Sequence, residues 1–313
     1  MSHKPFSGVI TAIATPFHDK GEIDFKAFDS LLAYQKKAGI HGAVVLGTTG
    51  ENAALSEQES EALVLAALEH QTENFHIYVG TGTNYTKTTI EKSIKYSQLK
   101  SAQGKKTNGV MVVTPYYNKP SQSCLVKHYN EVAQAVKDTP LCIYNVPSRT
   151  GINLLPQTLA NIVLENENVV AIKEAAGNVN AIVEMRNALD QINKQNVLIL
   201  SGDDATYAPA LLCGASGVIS VTSHIIPKVL IQILEAYQKG NFKELQRLHL
   251  ATYCINNGIF AVPNPIGVKW MLSHLGICGK TLRAPLYPAE GKEQELLSCI
   301  LDQLKKNQIQ VLT

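Results

Sequence analysis

From the N-terminus to about Gly240, short runs of β-branched and apolar residues alternate with longer stretches in which apolar side chains recur every three to four positions. An unbroken or alternating apolar run marks a strand, and the three-to-four spacing marks a helix with one buried face. Eight strands are predicted, at Val9 to Ala14, Gly42 to Leu46, Phe75 to Val79, Gly109 to Val113, Leu141 to Asn145, Val169 to Lys173, Val197 to Leu200 and Gly217 to Val221. Between them lie helical stretches such as Phe25 to Ala38, Ser56 to His70, Thr86 to Lys100, Ser121 to Lys137, Val179 to Asp190 and Ile226 to Lys239. Repeated strand and helix units build a parallel sheet, and eight such units close into a barrel. An open, doubly wound sheet would need a glycine-rich first turn for a nucleotide. Gly8-Val9-Ile10-Thr11 is not that turn, and Gly80-Thr81-Gly82 is too short a match. The expected architecture is an α/β fold, a (β/α)8 barrel over residues 1–240, followed by a C-terminal helical extension over residues 241–313. That extension holds helices near Phe242 to Asn256, Gly267 to Leu275 and Gln294 to Lys306.

Composition narrows the function. With 313 residues, 45% hydrophobic and 17% charged, the chain can bury a full core. Its 28 basic and 26 acidic residues are scattered and leave a formal charge of +2, so nucleic acid is not an expected partner. Met1-Ser2-His3-Lys4-Pro5-Phe6 has no long apolar core after its positive charge, and no apolar run approaches a membrane span. A cytoplasmic location is expected. The six cysteines are far apart and form no CxxC pair, which suits reduced, mostly buried thiols. His41, His128 and His224 show no paired ligand spacing, so no metal site is expected.

In barrels the chemistry sits where strands end and βα loops begin. Lys173 closes the apolar run Val169-Val170-Ala171-Ile172 and is expected to point into the barrel mouth. Loss of hydration there would disfavour the ammonium and supply a free amine, which can attack a ketone. A Schiff base with no cofactor is the leading chemistry; a solvated lysine paired with Glu174 is the alternative. Gly47-Thr48-Thr49-Gly50 places two hydroxyls and turned amides after the second strand, a cradle suited to a carboxylate, or simply a tight turn. Paired tyrosines, Tyr116 and Tyr117, sit in a stiff loop between Pro115 and Pro120. Such a loop can plug a gap or hold a phenol out to relay a proton into a neighbouring site. Tyr144 ends the fifth strand, and Arg149 follows Pro147, where it can clamp a carboxylate. Asp203 or Asp204 is expected to cap the next helix, and Gly202 to let backbone approach a ligand.

Together, Gly47-Thr48-Thr49-Gly50-Glu51, Thr114-Pro115-Tyr116-Tyr117-Asn118, Tyr144-Asn145-Val146-Pro147-Ser148-Arg149-Thr150, Ile172-Lys173-Glu174 and Ser201-Gly202-Asp203-Asp204 resemble the 4-hydroxy-tetrahydrodipicolinate synthase family. The likeness runs from about Gly8 to Leu286. It implies a homotetramer of barrels that condenses pyruvate with L-aspartate 4-semialdehyde, the first committed step of diaminopimelate and lysine synthesis. On that resemblance Lys173 forms the imine and Thr49 with nearby amides holds the pyruvate carboxylate. Tyr144 is the acid/base, linked through Thr48 to Tyr117 of a neighbouring subunit. Arg149 meets the carboxylate of the aldehyde, while the Ile219 carbonyl and the Gly202 backbone line the pocket.

Two departures stand out. Residues 100–109, Lys100-Ser101-Ala102-Gln103-Gly104-Lys105-Lys106-Thr107-Asn108-Gly109, are longer and more basic than the family's usual turn, and are expected on the side away from the chemistry. At the positions where lysine-sensitive members hold their effector, Asn84 and Tyr116 match, but Glu57 and Ser60 replace histidines and Thr88 replaces a glutamate. Two rival readings share the scaffold. One is another pyruvate-dependent lyase or aldolase, of the N-acetylneuraminate or keto-sugar-acid type, against which Arg149 argues. The other is a non-catalytic keto-acid-binding regulator, against which the full catalytic set argues.

Overall fold

The computed structural model describes residues 4–311, so the reading of Met1-Ser2-His3 lies outside it. Eight strands, β1 (Gly8–Ala12), β2 (Gly42–Val45), β3 (His76–Gly80), β4 (Gly109–Val113), β5 (Leu141–Asn145), β6 (Val169–Glu174), β7 (Leu198–Ser201) and β8 (Gly217–Ser220), close into a barrel in chain order. Every neighbouring pair is parallel, and closure is made by β1 against β8, with Val9 opposite Val218. The helices are α1 (Phe25–Lys37), α2 (Glu57–Glu69), α3 (Thr86–Gln98), α4 (Gln122–Ala135), α5 (Pro147–Thr150), α6 (Pro156–Glu165), α7 (Val179–Gln191), α8 (Tyr207–Leu212) and α9 (Pro227–Gln238). Beyond the barrel come α10 (Phe242–Gly258), α11 (Ile266–His274) and α12 (Lys292–Lys306). The expected (β/α)8 architecture with a C-terminal helical extension is present.

Local chemistry sets the element ends. Ser56 caps α2 in a reciprocal box with Glu59, and Asp24 caps α1 by accepting from the Ala27 amide. Proline opens α5, α6 and α9, where a missing N–H costs nothing. β2 stops one residue earlier than expected because Leu46 turns to φ +58, which leaves the extended region.

The strand period of two sorts side chains into layers. Cys142, Tyr144, Ala171, Leu200 and Ile219 point into the barrel, while Ile143, Ile172, Ile199 and Val218 point out to the helices. Leu245, Leu248 and Ile255 of α10 and Leu297, Ile300, Leu301 and Leu304 of α12 join the same apolar cluster as Leu31 of α1 and Ile233 of α9. The C-terminal helices thus pack on the barrel's own outer layer. The 100–109 segment packs at the strands' N-terminal side: Lys105 Nζ donates to the carbonyls of Glu69 and Gln71, where α2 ends, and Thr107 bonds the carbonyls of Ile77 and Gly109. A cation at a helix C-terminus satisfies carbonyls that have no partner within the helix.

Candidate active site

At the C-terminal mouth of the barrel lies a cavity of about 350 Å³, with Lys173, Tyr144, Thr48, Thr49, Arg149, Gly202, Asp203 and Asn264 on its wall. Lys173 is buried and shares the inner parity of Ala171, whereas Glu174 takes the outer parity. The expected alternative, an ion pair between these two, is excluded by that alternation. Glu174 instead accepts from Asn145 Nδ2 at 2.8 Å and from the Ala176 amide at 2.7 Å, and burial raises its carboxyl pKa against those bonds.

Tyr144 and Lys173 are register partners across β5 and β6, and Lys173 Nζ lies 4.2 Å from the Tyr144 ring centroid. A phenol and an amine fixed side by side on two rigid strands suit proton transfer at a carbon bound to that nitrogen. Gly202 faces the lysine stem. An ideal Cβ there would sit 2.9 Å from Lys173 Cε and 2.5 Å from Ala175 Cβ, so the glycine makes room for the lysine itself rather than for a ligand alone.

The turn expected to cradle a carboxylate is a 3-10 turn, Thr48–Gly50, after β2. Its first hydrogen bond runs from the Gly50 amide to the Gly47 carbonyl, so the Thr48 and Thr49 amides precede it and are open to an anion. The turn is anchored from the far end of the chain. Glu51, at φ +52, is buried and ion-paired to the buried Lys269 of α11, and its second oxygen accepts the Arg283 amide at 3.0 Å. Lys269 Nζ also donates to the Thr281 carbonyl and lies 4.0 Å from the Phe17 ring centroid; burial lowers its pKa, although Glu51 opposes that. Arg283 clamps Glu59 and holds its carboxyl down at about 2. The buried pair of Glu51 and Lys269 is costly to break on one side.

Asn264, in the loop between α10 and α11, was not singled out in the sequence. Its Nδ2 donates to Thr49 Oγ1 at 2.9 Å, and its backbone carbonyl accepts from Arg149 Nη2 at 3.2 Å. Phe260, Val262 and Pro263 of the same loop complete the wall.

The remaining candidates are distributed around this centre. Thr48 lies on the walls of both the main cavity and a second one of about 180 Å³, where it meets Tyr116, Asn52, Lys92 and Arg149. Tyr117 is 87% exposed at φ +70 and lies on the wall of neither cavity. Asn118 Nδ2 bonds the Asn84 carbonyl at 2.7 Å, tying the two-tyrosine loop to the loop before α3. Ile219 is buried in the barrel interior, and Val221, the residue just past β8, is on the cavity wall. Asp203 accepts from the Thr206 amide before α8, a turn bond made three residues ahead of that helix's own cap residue, Thr206. Asp204 instead grips the loop after β8, accepting the amides of Val221 and Thr222 at 2.9 and 3.0 Å. Glu57 is held by Lys95 at 2.7 Å, Ser60 bonds the Ser56 carbonyl, and Thr88 is half-buried in α3. All six cysteines are free, but the expectation that most are buried fails: only Cys142 is buried, while Cys124 and Cys299 are exposed. Among the described residues no group of three or more His, Cys, Asp or Glu could hold a metal ion, and no helix is long and apolar enough to cross a membrane.

The dihydrodipicolinate synthetase family model matches residues 5–304. A 4-hydroxy-tetrahydrodipicolinate synthase of Thermotoga petrophila is 40% identical, covering 95% of this chain and 98% of its own. The crystal structure of dihydrodipicolinate synthase from Thermotoga maritima superposes with a TM-score of 0.91 at 37% identity, over 98% of this chain and all of that one. The enzyme from Cyanidioschyzon merolae, solved with lysine bound, superposes with a TM-score of 0.89 at 33% identity, over 96% of this chain and 98% of its own.

Proposed function

We propose that this chain, which belongs to the dihydrodipicolinate synthetase family, is a lyase that condenses pyruvate with L-aspartate 4-semialdehyde to 4-hydroxy-tetrahydrodipicolinate. The observation that carries the site assignment is the pairing of a buried strand-end amine, Lys173, with the ring of Tyr144 on the floor of one cavity.

The chemistry follows from the positions. Lys173 Nζ attacks the ketone carbon of pyruvate, and loss of water leaves a protonated imine. The imine acts as electron sink while the methyl group gives up a proton to Tyr144, forming an enamine. The enamine carbon adds to the aldehyde, whose oxygen takes a proton. The second substrate's amino group then attacks the imine carbon, closing the ring and expelling the Lys173 amine. Throughout, Thr49 and the cradle amides hold the pyruvate carboxylate, and Arg149 receives that of the aldehyde. Gly202 keeps the lysine's path open. The Ile219 carbonyl belongs to the inner lining of the pocket. No separate cofactor takes part, because the imine itself stabilises the carbanion.

Tyr117 completes a neighbouring subunit's relay through Thr48. Its exposure of 87% and its left-handed backbone support that reading, since strain at a largely exposed phenol has no use within its own barrel. The assembly is a homotetramer built from such dimers, working in the cytoplasm.

Borohydride reduction in the presence of pyruvate tests the reading. The expected product is a peptide carrying a reduced pyruvyl adduct on Lys173, found by mass spectrometry. An adduct on a different lysine, or none, overturns the imine assignment.

A further inference from the structure

Thr49 and Asn264 are 215 residues apart in sequence yet hydrogen-bonded in the cavity wall. The direction of that bond matters. The amide nitrogen of Asn264 donates, so the Thr49 oxygen accepts and its own O–H is left to donate. Among the described residues Thr49 Oγ1 makes no second hydrogen bond, and the residue lies on the cavity wall. The backbone carbonyl of Asn264 meanwhile takes Arg149 Nη2. Five residues further on, Lys269 grips Glu51, two residues beyond Thr49. The segment from Asn264 to Lys269 therefore fastens the cradle at two points.

We propose that Asn264 is a positioning residue: its side chain aims the Thr49 hydroxyl at the keto-acid carboxylate while its backbone carbonyl steadies the guanidinium that meets the second substrate. This rests on the functional reading above. It assigns part of the active site to the C-terminal region, outside the eight strand-end loops, and gives the two carboxylate sites one shared support. The two arms are separable. Side-chain replacement acts on the Thr49 arm alone, since the Arg149 bond is to the main chain.

The test is steady-state kinetics of Asn264→Ala, Asn264→Asp, Thr49→Val and the Thr49→Val/Asn264→Ala double variant, with each substrate varied in turn. Losing one hydrogen bond of this kind raises the pyruvate KM about five- to tenfold in Asn264→Ala, with the aldehyde KM changed less than about twofold. Asn264→Asp, close in volume, does more harm: a carboxylate cannot donate, so it draws the Thr49 O–H away from the keto acid and adds a negative charge beside it. In the double variant Asn264→Ala adds less than about twofold to the effect of Thr49→Val, because the asparagine acts through the threonine. Additive losses, an effect on the aldehyde KM alone, or a wild-type pyruvate KM in Asn264→Asp would overturn the proposal. Pyruvate trapping on wild-type Lys173 separates the two levels. If it fails, the functional reading falls and this inference falls with it; if it succeeds while the coupling is absent, only the inference falls. Should Asn264→Ala not fold, the Asp variant and Thr49→Val decide the matter.

Discussion

Gly202 packs directly on the stem of Lys173, and a Cβ at that position would lie 2.9 Å from Cε and 3.0 Å from Cγ of the lysine. The φ of Gly202 is not positive, so the constraint is space and not backbone conformation. Gly202→Ala is therefore expected to push the lysine off its line with Tyr144. A misplacement of this kind costs on the order of 100-fold in rate. Single-turnover borohydride trapping measures it directly, and trapping at the wild-type rate in a folded Gly202→Ala variant would show that the lysine has room to spare.

The parts of this molecule that follow a local period are legible along the chain. Strand parity alone puts Lys173 inside with Ala171 and Glu174 outside, and proline and serine mark several helix starts. What stays hidden is contact between distant segments. Gly202 reads as a place for a ligand because its true neighbour, Lys173, is 29 residues away on another strand. Asn264 and Lys269 carry no motif at all; they matter through bonds to Thr49 and Glu51 that span 215 and 218 residues. Glu51 looks like the end of a loop motif, yet its carboxylate joins that loop to α11. Asp203 and Asp204 look interchangeable in sequence. One pins its own turn, and the other pins the loop after the eighth strand.

Arg149→Ala is expected to act on one substrate only. The guanidinium sits on the cavity wall with its Nη2 on the Asn264 carbonyl, and takes no part in the pairing of Lys173 with Tyr144. Losing a charge-assisted bond to a carboxylate lowers kcat/KM for the aldehyde about 10- to 150-fold. Trapping of pyruvate on Lys173 should be nearly unchanged. Equal damage to both measurements would assign Arg149 a general structural part in α5.

Acid stability has an identifiable contributor in His224. The ring is fully buried; Nε2 accepts the Ala14 amide at 3.1 Å and Nδ1 donates to the Val221 carbonyl at 2.7 Å. Protonation would turn the accepting nitrogen against an N–H, and burial pushes the pKa down to about 4. The unfolded chain, with an ordinary histidine pKa of about 6.5, takes up that proton first as pH falls. The contribution is complete above about pH 6.5 and is lost between there and about pH 4, amounting to at most on the order of 3 kcal/mol. Urea midpoints at pH 7 and pH 4 for wild type and His224→Gln check this. The glutamine oxygen can accept the same amide without titrating, so the variant should lose less on acidification. Parallel losses would remove His224 as the cause.

L-Lysine is expected to be a weak inhibitor or none, although a superposable relative binds it in its crystal. Tyr116 lines the second cavity and Asn84 is tied to the neighbouring loop by Asn118, so part of the matching framework is present. On the family resemblance, Thr88 takes the place of the glutamate that would meet the effector's ammonium, so that charge is missing. Glu57, at another of the effector positions, is the one candidate substitute, and it is already engaged: Lys95 donates to it at 2.7 Å, which lowers its pKa, and pairs with Glu61 at 2.8 Å as well. To serve the ammonium, Glu57 would have to leave one cation for another, with little net gain at an exposed position. An ammonium brought into the second cavity without a carboxylate loses hydration and recovers no ion pair, and Lys92 on that wall adds like charge. Initial rates at subsaturating pyruvate with rising L-lysine decide the question: saturable inhibition at sub-millimolar lysine would mean that Glu57 exchanges partners after all.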